Sequence, residues 1–333
     1  MKILITGGSG FIGTHVVSRL LTKGHEVLNV SLHAPHEVVH RPFWKHADIL
    51  DADLLQRSMT DFAPDQLLHL AARTEMDETT TAETGFRANT QGTRNFIAAV
   101  QATPSVRRML MCSSQFVCGP GRLPIHDEDY FPATVYGESK VITEQETRRA
   151  DLRCEWVMVR PTNIWGPWHP RYPREFWRIA RKGLYLHPGG KPVVRCYGYV
   201  GVVADQMVAL LEQPAEKIDR QTFYVGDPAD DIYHWADAFC RALRGQPARK
   251  VPRPILRAAG LAGDLITALT GKPFYITSSR YRSMVTDYVT PMDKTYTVLG
   301  QPKISLLQGV DETVSWLLTQ PEYQSATPPP SPT

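Results

Sequence analysis

Met1-Lys2-Ile3-Leu4-Ile5-Thr6-Gly7-Gly8-Ser9-Gly10-Phe11-Ile12-Gly13 opens the chain, and its reading decides the fold. The apolar run Ile3–Ile5 predicts a buried strand, and the glycines predict a tight turn. From Thr14 an amphipathic pattern (Val16, Val17, Leu20, Leu21) predicts a helix. A second strand, Glu26–Val30, follows Lys23-Gly24-His25. Strand, glycine turn, helix and strand in this order form a dinucleotide site. The glycines let the backbone approach a pyrophosphate and let the helix pack on the strand. The helix N-terminus then offers N–H groups and the positive end of its dipole to phosphates.

Working outward, further apolar runs predict strands at Gln66–Leu70, Arg108–Cys112 and Glu155–Val159, with helical patterns at Thr90–Ala102 and Tyr136–Arg149 between them. Alternating elements with continuously apolar strands imply an α/β protein whose parallel sheet is covered on both faces. From about Thr162 the texture changes, with Trp165, Pro167, Trp168, Pro170, Pro173 and Trp177 close together. The expected layout is a nucleotide-binding domain over 1–165 with a sheet return near 190–230 and a mainly substrate-binding region over 166–320. A disordered tail is expected over 321–333.

A chain of 333 residues with 42% hydrophobic content supports a large core, and a formal charge of +3 gives no case for a nucleic-acid or membrane partner. Cys112, Cys118, Cys154, Cys196 and Cys240 show no metal-ligand spacing and read as reduced core thiols of a cytoplasmic protein. Because a strand is read at the very start, no signal peptide is expected, and no apolar run is long enough to span a membrane. The best stretch for membrane contact is 255–269. Asp264 interrupts its apolar surface, so a buried helix of the second domain is expected there.

Tyr136-Gly137-Glu138-Ser139-Lys140 puts a tyrosine and a lysine one helical turn apart, on one face. An ammonium beside a phenol favours tyrosinate, which can exchange a proton with a substrate hydroxyl near neutral pH. Cys112-Ser113-Ser114 closes a strand at the sheet's carboxyl edge, where open α/β sheets bind ligands. On its own the tyrosine–lysine pair also reads as a solvated helix face. The combination with the glycine loop and the strand-end serine is what points to chemistry.

These motifs resemble the extended short-chain dehydrogenase/reductase family of NAD(P)-dependent nucleotide-sugar epimerases, dehydratases and ketoreductases, over about 1–320. The resemblance implies a Rossmann-type doubly wound parallel sheet with a smaller C-terminal α/β substrate domain. It implies a catalytic triad of Ser114, Tyr136 and Lys140 and a bound NAD or NADP. The implied cofactor contacts are Gly7, Gly10, Phe11, Ile12 and Gly13 of the fingerprint, Ser31 at the end of the second strand, and Asp48 and Ile49 at the adenine. Leu70, Ala71, Ala72, Asn89 and Pro161 complete them, with Tyr136 and Lys140. The implied substrate contacts are Thr74, Ser114, Asn163, Arg195, Arg280 and Arg282, the arginines at a diphosphate. Tyr136 would take a proton from the sugar hydroxyl while hydride leaves its carbon, and an epimerase would return the hydride to the other face. The family also implies a homodimer through the helices carrying Phe96, Ile97, Val100, Val141 and Ile142; the alternative is that these residues face the protein's own sheet.

The sequence departs from the family in places. Ser31 stands where NAD users carry an acid, so a 2′-phosphate meets no repulsion, and His33 and His36 are the nearby groups that can help it. Gln115 and Phe116 stand where dehydratases carry an Asp-Glu pair, which removes the acid–base groups for water elimination. Cys118 stands at a usual tyrosine and reads as a buried small residue. Cys196 and Val202 stand where acids are frequent. The aromatics from Trp165 to Trp177 read as packing or as stacking surfaces for a base or sugar. The leading expectation is a nucleotide-sugar C4 epimerase. A 4-keto-sugar reductase, a dehydrogenase of another carbonyl or sterol, and a non-catalytic NAD(P) sensor are the alternatives.

Overall fold

The computed structural model describes residues 1–271 and 274–324. The chain divides into two units. The first comprises 1–164, 198–227 and 290–303, and the second comprises 165–197, 228–289 and the chain from 304. The return to the first unit therefore has two parts, and the second, 290–303, carried no sign in the sequence reading.

The first unit is built on strands β1 (Lys2–Thr6), β2 (Glu26–Ser31), β3 (Trp44–His46), β4 (Gln66–His69), β5 (Arg108–Cys112), β6 (Glu155–Pro161) and β7 (Gln221–Val225). Their order across the sheet is β7-β6-β5-β4-β1-β2-β3. Every neighbouring pair is parallel, with Ile3 opposite Val27 and Leu110 opposite Val157. The order reverses at β1, so the crevice at its carboxyl end is the switch point where such sheets take ligands. Helices α1 (Phe11–Thr22), α2 (Ala52–Phe62), α3 (Gln91–Gln101), α4 (Val135–Arg149) and α5 (Val200–Glu212) pack around it.

Because side chains alternate along a strand, the central strands feed two cores. Ile5, Leu110, Val157 and Phe223 meet Val17 and Leu20 of α1 and Val203 and Met207 of α5 on one face. Leu4, Met109, Met111 and Met158 meet Met59 of α2 and Phe96 and Val100 of α3 on the other. Phe96, Ile97 and Val100 are thus spent on the protein's own core, which removes them from the expected dimer face. Val141 and Ile142 are half-buried.

The second unit contains α6 (Ile232–Arg244), α7 (Arg253–Thr270), α8 (Ser278–Val285) and α9 (Leu306–Thr319). Strand 194–199 pairs antiparallel with Ala229–Asp231, and Arg249–Val251 pairs parallel with Leu186–Pro188. Its core is aromatic. Trp165, Trp177 and Phe239 are fully buried, with Trp165 and Phe239 ring centroids 5.4 Å apart and edge-to-face. Two expectations are corrected here. The 255–269 stretch is buried on one side only, because α7 leaves Ile255, Leu261, Leu265 and Leu269 exposed. The tail expected from 321 begins with a short helix, Pro321–Gln324, whose Tyr323 is buried and donates its hydroxyl to the Pro173 carbonyl. Its remainder lies outside the described residues. All five cysteines are buried and free of disulfides.

Candidate active site

The glycine loop closes on its neighbours at contact distance. Gly7 has φ +75°, and a Cβ there would lie 2.6 Å from the Ala71 backbone nitrogen. A Cβ on Gly13 would lie 2.2 Å from the Gly7 carbonyl oxygen, so only glycine lets α1 start this close to the turn. Gly10 N–H donates to that carbonyl at 3.0 Å. Beneath the loop, Asn29 Nδ2 donates to Ser9 Oγ, Ser31 Oγ donates to Asn29 Oδ1, and Ser9 N–H donates to Ser31 Oγ, at 3.0, 2.7 and 3.2 Å. Ser31 is buried and its hydroxyl fastens the loop to β2. Asn29, a polar residue in the apolar run Glu26–Ser31, was passed over in the sequence; its placement there was the available signal.

These residues fit a pyrophosphate. Helix α1 starts at Gly10 without a side-chain cap and without an acid in its first turn. A Cβ on Gly10 would meet only the Gly7 oxygen, at 3.2 Å, so the approach to the α1 N–H groups of Phe11, Ile12 and Gly13 is open. Asp48 caps the N–H of Leu50 at 2.9 Å, Ile49 is buried against Gly92 of α3, and Asn95 holds the Ile49 carbonyl at 3.0 Å. Leu70, Ala71 and Ala72 are half-buried, with Leu70 N–H on the Thr6 carbonyl at 3.0 Å. His69 at the end of β4 is buried against Phe96 and hydrogen-bonds Thr6 Oγ1 at 2.8 Å. Burial, and then the Lys140 charge, push its pKa down to about 3, so it stays neutral. Pro161 is buried at the end of β6, Asn163 is half-buried, and Thr74 is exposed.

Tyr136 and Lys140 share one face of α4, which Thr134 caps by accepting from Gly137 N–H at 3.0 Å. Both side chains are buried. The Tyr136 ring sits between Phe86 and Phe116, at 6.1 and 5.9 Å between centroids. Lys140 Nζ donates to the Cys112 carbonyl at the end of β5, at 2.9 Å. Burial lowers its pKa, against the opposing pull of Cys112 and Glu144. Ser114, two residues past β5, is buried and accepts from Phe116 N–H at 3.2 Å. Its neighbour Ser113 is also buried, and its Oγ has no hydrogen-bond partner among the described residues. Phe116, where dehydratases carry a carboxylate, is thus packing for Tyr136. Asn89 uses its amide within the fold, accepting from Arg73 N–H at 2.8 Å and donating to Ser139 Oγ at 2.8 Å. Cys118 is buried, and burial raises its thiol pKa.

One further turn along α4 lies a group the sequence reading missed. Glu144 is wholly buried and receives Arg160 Nε and Nη2, both at 2.8 Å, and the Tyr130 hydroxyl at 3.0 Å. Arg160 also donates to the Tyr224 hydroxyl at 3.0 Å. The clamp ties α4, and so Tyr136 and Lys140, to β6 and β7. An arginine inside the apolar run of β6 was the sign of it, since a buried charge needs a partner.

The second unit holds a cavity of about 240 Å³ lined by aromatics, including Tyr172, Phe176, Tyr197 and Trp235, with Arg195, Arg280 and Glu175 as its charged groups. Phe176 stacks on Trp235 at 4.4 Å, and Trp235 Nε1 has no hydrogen-bond partner among the described residues. Arg195 is turned to backbone. Its Nε and Nη2 donate to the Thr286 carbonyl at 3.1 and 2.9 Å, and Nη2 also reaches the Ser283 carbonyl. Arg280 is exposed and faces Glu175 at 3.6 Å. Arg282 is exposed and outside the lining. Of the expected aromatic surface, Trp165 and Trp177 are core, and Tyr172 and Phe176 line the cavity.

A glycine loop at the head of an all-parallel sheet, with a tyrosine–lysine pair one turn apart on α4, defines a dinucleotide-dependent enzyme of the extended short-chain dehydrogenase/reductase type. Residues 3–226 match the NAD dependent epimerase/dehydratase family, and the chain belongs to it. Over 321 residues, 95% of each chain, it is 22% identical to the N-acetyl-alpha-D-glucosaminyl-diphospho-ditrans,octacis-undecaprenol 4-epimerase of Escherichia coli O157:H7. It is 30% identical over 183 residues to UDP-glucose 4-epimerase of Neisseria meningitidis serogroup C, an alignment covering 50% of this chain and 53% of that one. The fold is that of the NAD complex of Thermus thermophilus UDP-glucose 4-epimerase, with a TM-score of 0.71 at 22% identity over 96% of this chain and 99% of the other.

Proposed function

We propose that the protein is an NAD-dependent 4-epimerase of a sugar carried on a diphosphate. The observation that carries this reading is the buried Tyr136–Lys140 pair on α4, braced by the Cys112 carbonyl at 2.9 Å, at the carboxyl edge of the sheet with Ser114. An ammonium has three donors. With one on Cys112, Lys140 keeps two to offer the Tyr136 oxygen and a cofactor ribose. Tyr136 takes the proton of the sugar C4 hydroxyl, and Ser114 donates to the oxygen as it becomes a carbonyl. Bound NAD supplies a nicotinamide that accepts the hydride and gives it back. On return, Tyr136 restores the proton to the oxygen of the inverted carbon. Without an acid–base pair at Gln115 and Phe116, the path to water elimination is unsupported.

The carrier of the diphosphate has two readings. A nucleotide is the first, supported by the relative named UDP-glucose 4-epimerase, 30% identical over 183 residues. A polyprenyl lipid is the second, supported by the relative aligned over 95% of both chains, whose name specifies a lipid-linked sugar.

The test is to identify the nucleotide released on denaturing the purified protein, then to follow UDP-, dTDP-, GDP- and CDP-sugars and polyprenyl-diphosphate sugars by NMR. Conversion of one sugar epimer to the other without net NADH is expected. Tyr136→Phe should cut turnover by about 10²–10⁴-fold and leave NAD binding intact. Stoichiometric NAD(P)H consumption on a 4-keto sugar would make the enzyme a reductase instead. Unchanged turnover in Tyr136→Phe would remove Tyr136 from the chemistry.

A further inference from the structure

We propose that α7 is an interfacial helix that docks the second unit on an anionic lipid bilayer. The proposal stands on α7 and its flanks alone and does not need the lipid-linked reading of the substrate. One side of α7 is fully used. Leu256, Gly260 and Gly263 are buried, and a Cβ on Gly263 would lie 1.8 Å from the Ile276 carbonyl oxygen, so helix backbone rests directly on the stretch of chain leading into α8. Asp264 does not break the apolar surface as the sequence led one to expect. Its carboxylate turns to the same segment and accepts from Ser278 N–H at 3.1 Å.

Among the described residues of its own unit, the remaining face is left exposed. Ile255, Leu261, Leu265 and Leu269 are 59–77% exposed and Ile266 is 38% exposed. At about 100° per residue these five fall in one arc of roughly 140°, with only Pro254, Ala258 and Ala262 between them. Single exposed leucines are ordinary, but a contiguous stripe of this kind marks a contact surface.

The charge of α7 and its flanking segments selects the occupant. From Arg249 through α8 to Val285 the chain has seven Lys and Arg and one acid, Asp264, a net +6 in a chain whose total is +3. Arg249, Lys250, Arg257, Arg280 and Arg282 are exposed. A second copy would bring +6 against +6, which opposes a symmetric pairing through this face. An anionic bilayer offers headgroup charge and an apolar layer together, which is what a basic helix with a leucine stripe takes. No helix among the described residues is long and apolar enough to cross a membrane, so α7 lies on the surface. Because the buried side of α7 packs on the segment leading into α8, α7 would lie between that segment, with Tyr275 and Ile276 of the cavity wall, and the bilayer.

The test is flotation of the full-length protein with vesicles of phosphatidylcholine plus phosphatidylglycerol, against phosphatidylcholine alone, at low and high salt. The parent should float with the anionic vesicles, more weakly in high salt. Leu265→Glu/Leu269→Glu should lose about tenfold or more of this binding with circular dichroism and NAD binding unchanged. Both positions are exposed, and Leu265→Gln/Leu269→Gln replaces the pair if the charged one unfolds. Absence of flotation on anionic vesicles overturns the proposal. So does flotation that the substitutions leave intact, which would reflect charge alone. A concentration-dependent dimer in sedimentation, lost in the variant and formed by a protein that ignores vesicles, assigns the stripe to a second copy and overturns it as well.

Discussion

The tyrosine–lysine face of the first unit and the aromatic cavity of the second solve opposite problems. Around Tyr136 several polar groups are buried and tied down. Lys140 is held by a carbonyl, Asn89 by Arg73 and Ser139, and Glu144 by Arg160 and Tyr130. In the second unit the cavity wall is made of rings, and its arginines bond backbone or stand exposed. Under the proposed function, the difference separates two kinds of specificity. Proton and hydride transfer need groups fixed to fractions of an ångström, and the first unit supplies that with buried hydrogen bonds. Recognition of a ligand's body needs area and shape, and rings supply that with few directional demands.

The largest effect should come from releasing the clamp under the first region. Glu144→Ala would leave Arg160 charged, wholly buried and without its carboxylate. Breaking such a pair costs about 3–5 kcal/mol, to be read by denaturant unfolding. Turnover should fall as well, because α4 loses its tie to β6. A loss below about 1 kcal/mol would mean that α4 is held by its apolar contacts and that the buried ion pair is incidental.

Next is the loop. Gly7→Ala forces a Cβ onto the Ala71 backbone at φ +75°, an arrangement costing on the order of 1–3 kcal/mol. Melting temperature and NAD affinity by calorimetry should fall together. A normal NAD affinity would separate the loop's shape from cofactor binding.

The same contrast explains what could be read from the sequence. Parallel strands buried on both faces are continuous apolar runs, so β1, β2, β4, β5 and β6 were legible to within a residue or two. The glycine loop and Tyr136–Lys140 were legible because local backbone geometry demands those residue types at those spacings. Glu144 with Arg160 was not, since the partners are sixteen positions apart on different elements and neither signals the other. The three-residue β3 is too short to show a period. In the second unit, periodicity named α7 as amphipathic but cannot say which face the neighbours cover. Aromatic residues serve core and cavity alike, so Trp177 and Phe176, adjacent in sequence, took different fates.

The arginines sharpen the comparison further. Arg280 is exposed on the cavity wall and donates to the Tyr275 carbonyl at 3.2 Å, so Arg280→Ala should raise KM for a diphosphate-linked sugar about 10–100-fold, the worth of charge-assisted hydrogen bonds, with a smaller fall in melting temperature than Arg195→Ala. Arg195 also holds the Ser283 and Thr286 carbonyls at the end of α8. Arg195→Ala should therefore lower the melting temperature as well as affect KM. Equal behaviour of the two variants would erase the distinction between a binding arginine and a bracing one.

The smallest expected effect is a titration in the first unit. Asp227 follows β7 and accepts the Tyr199 N–H at the start of α5, at 2.7 Å. Burial raises its pKa to about 7, against the pull of that hydrogen bond. An unfolded aspartate titrates near 3.9. Between about pH 4 and 7 the folded chain therefore keeps a proton the unfolded chain has lost. Stability contributed by this group falls as pH rises through that window, and the penalty is complete above it. Asp227→Asn keeps an acceptor for Tyr199 and removes the charge. It should flatten the slope of unfolding free energy between pH 4 and 7 and make the protein more stable than the parent at pH 8. An unaltered slope would mean that Asp227 is hydrated well enough to ionise at its ordinary pKa, and that the first unit's tightness stops short of this end of the sheet.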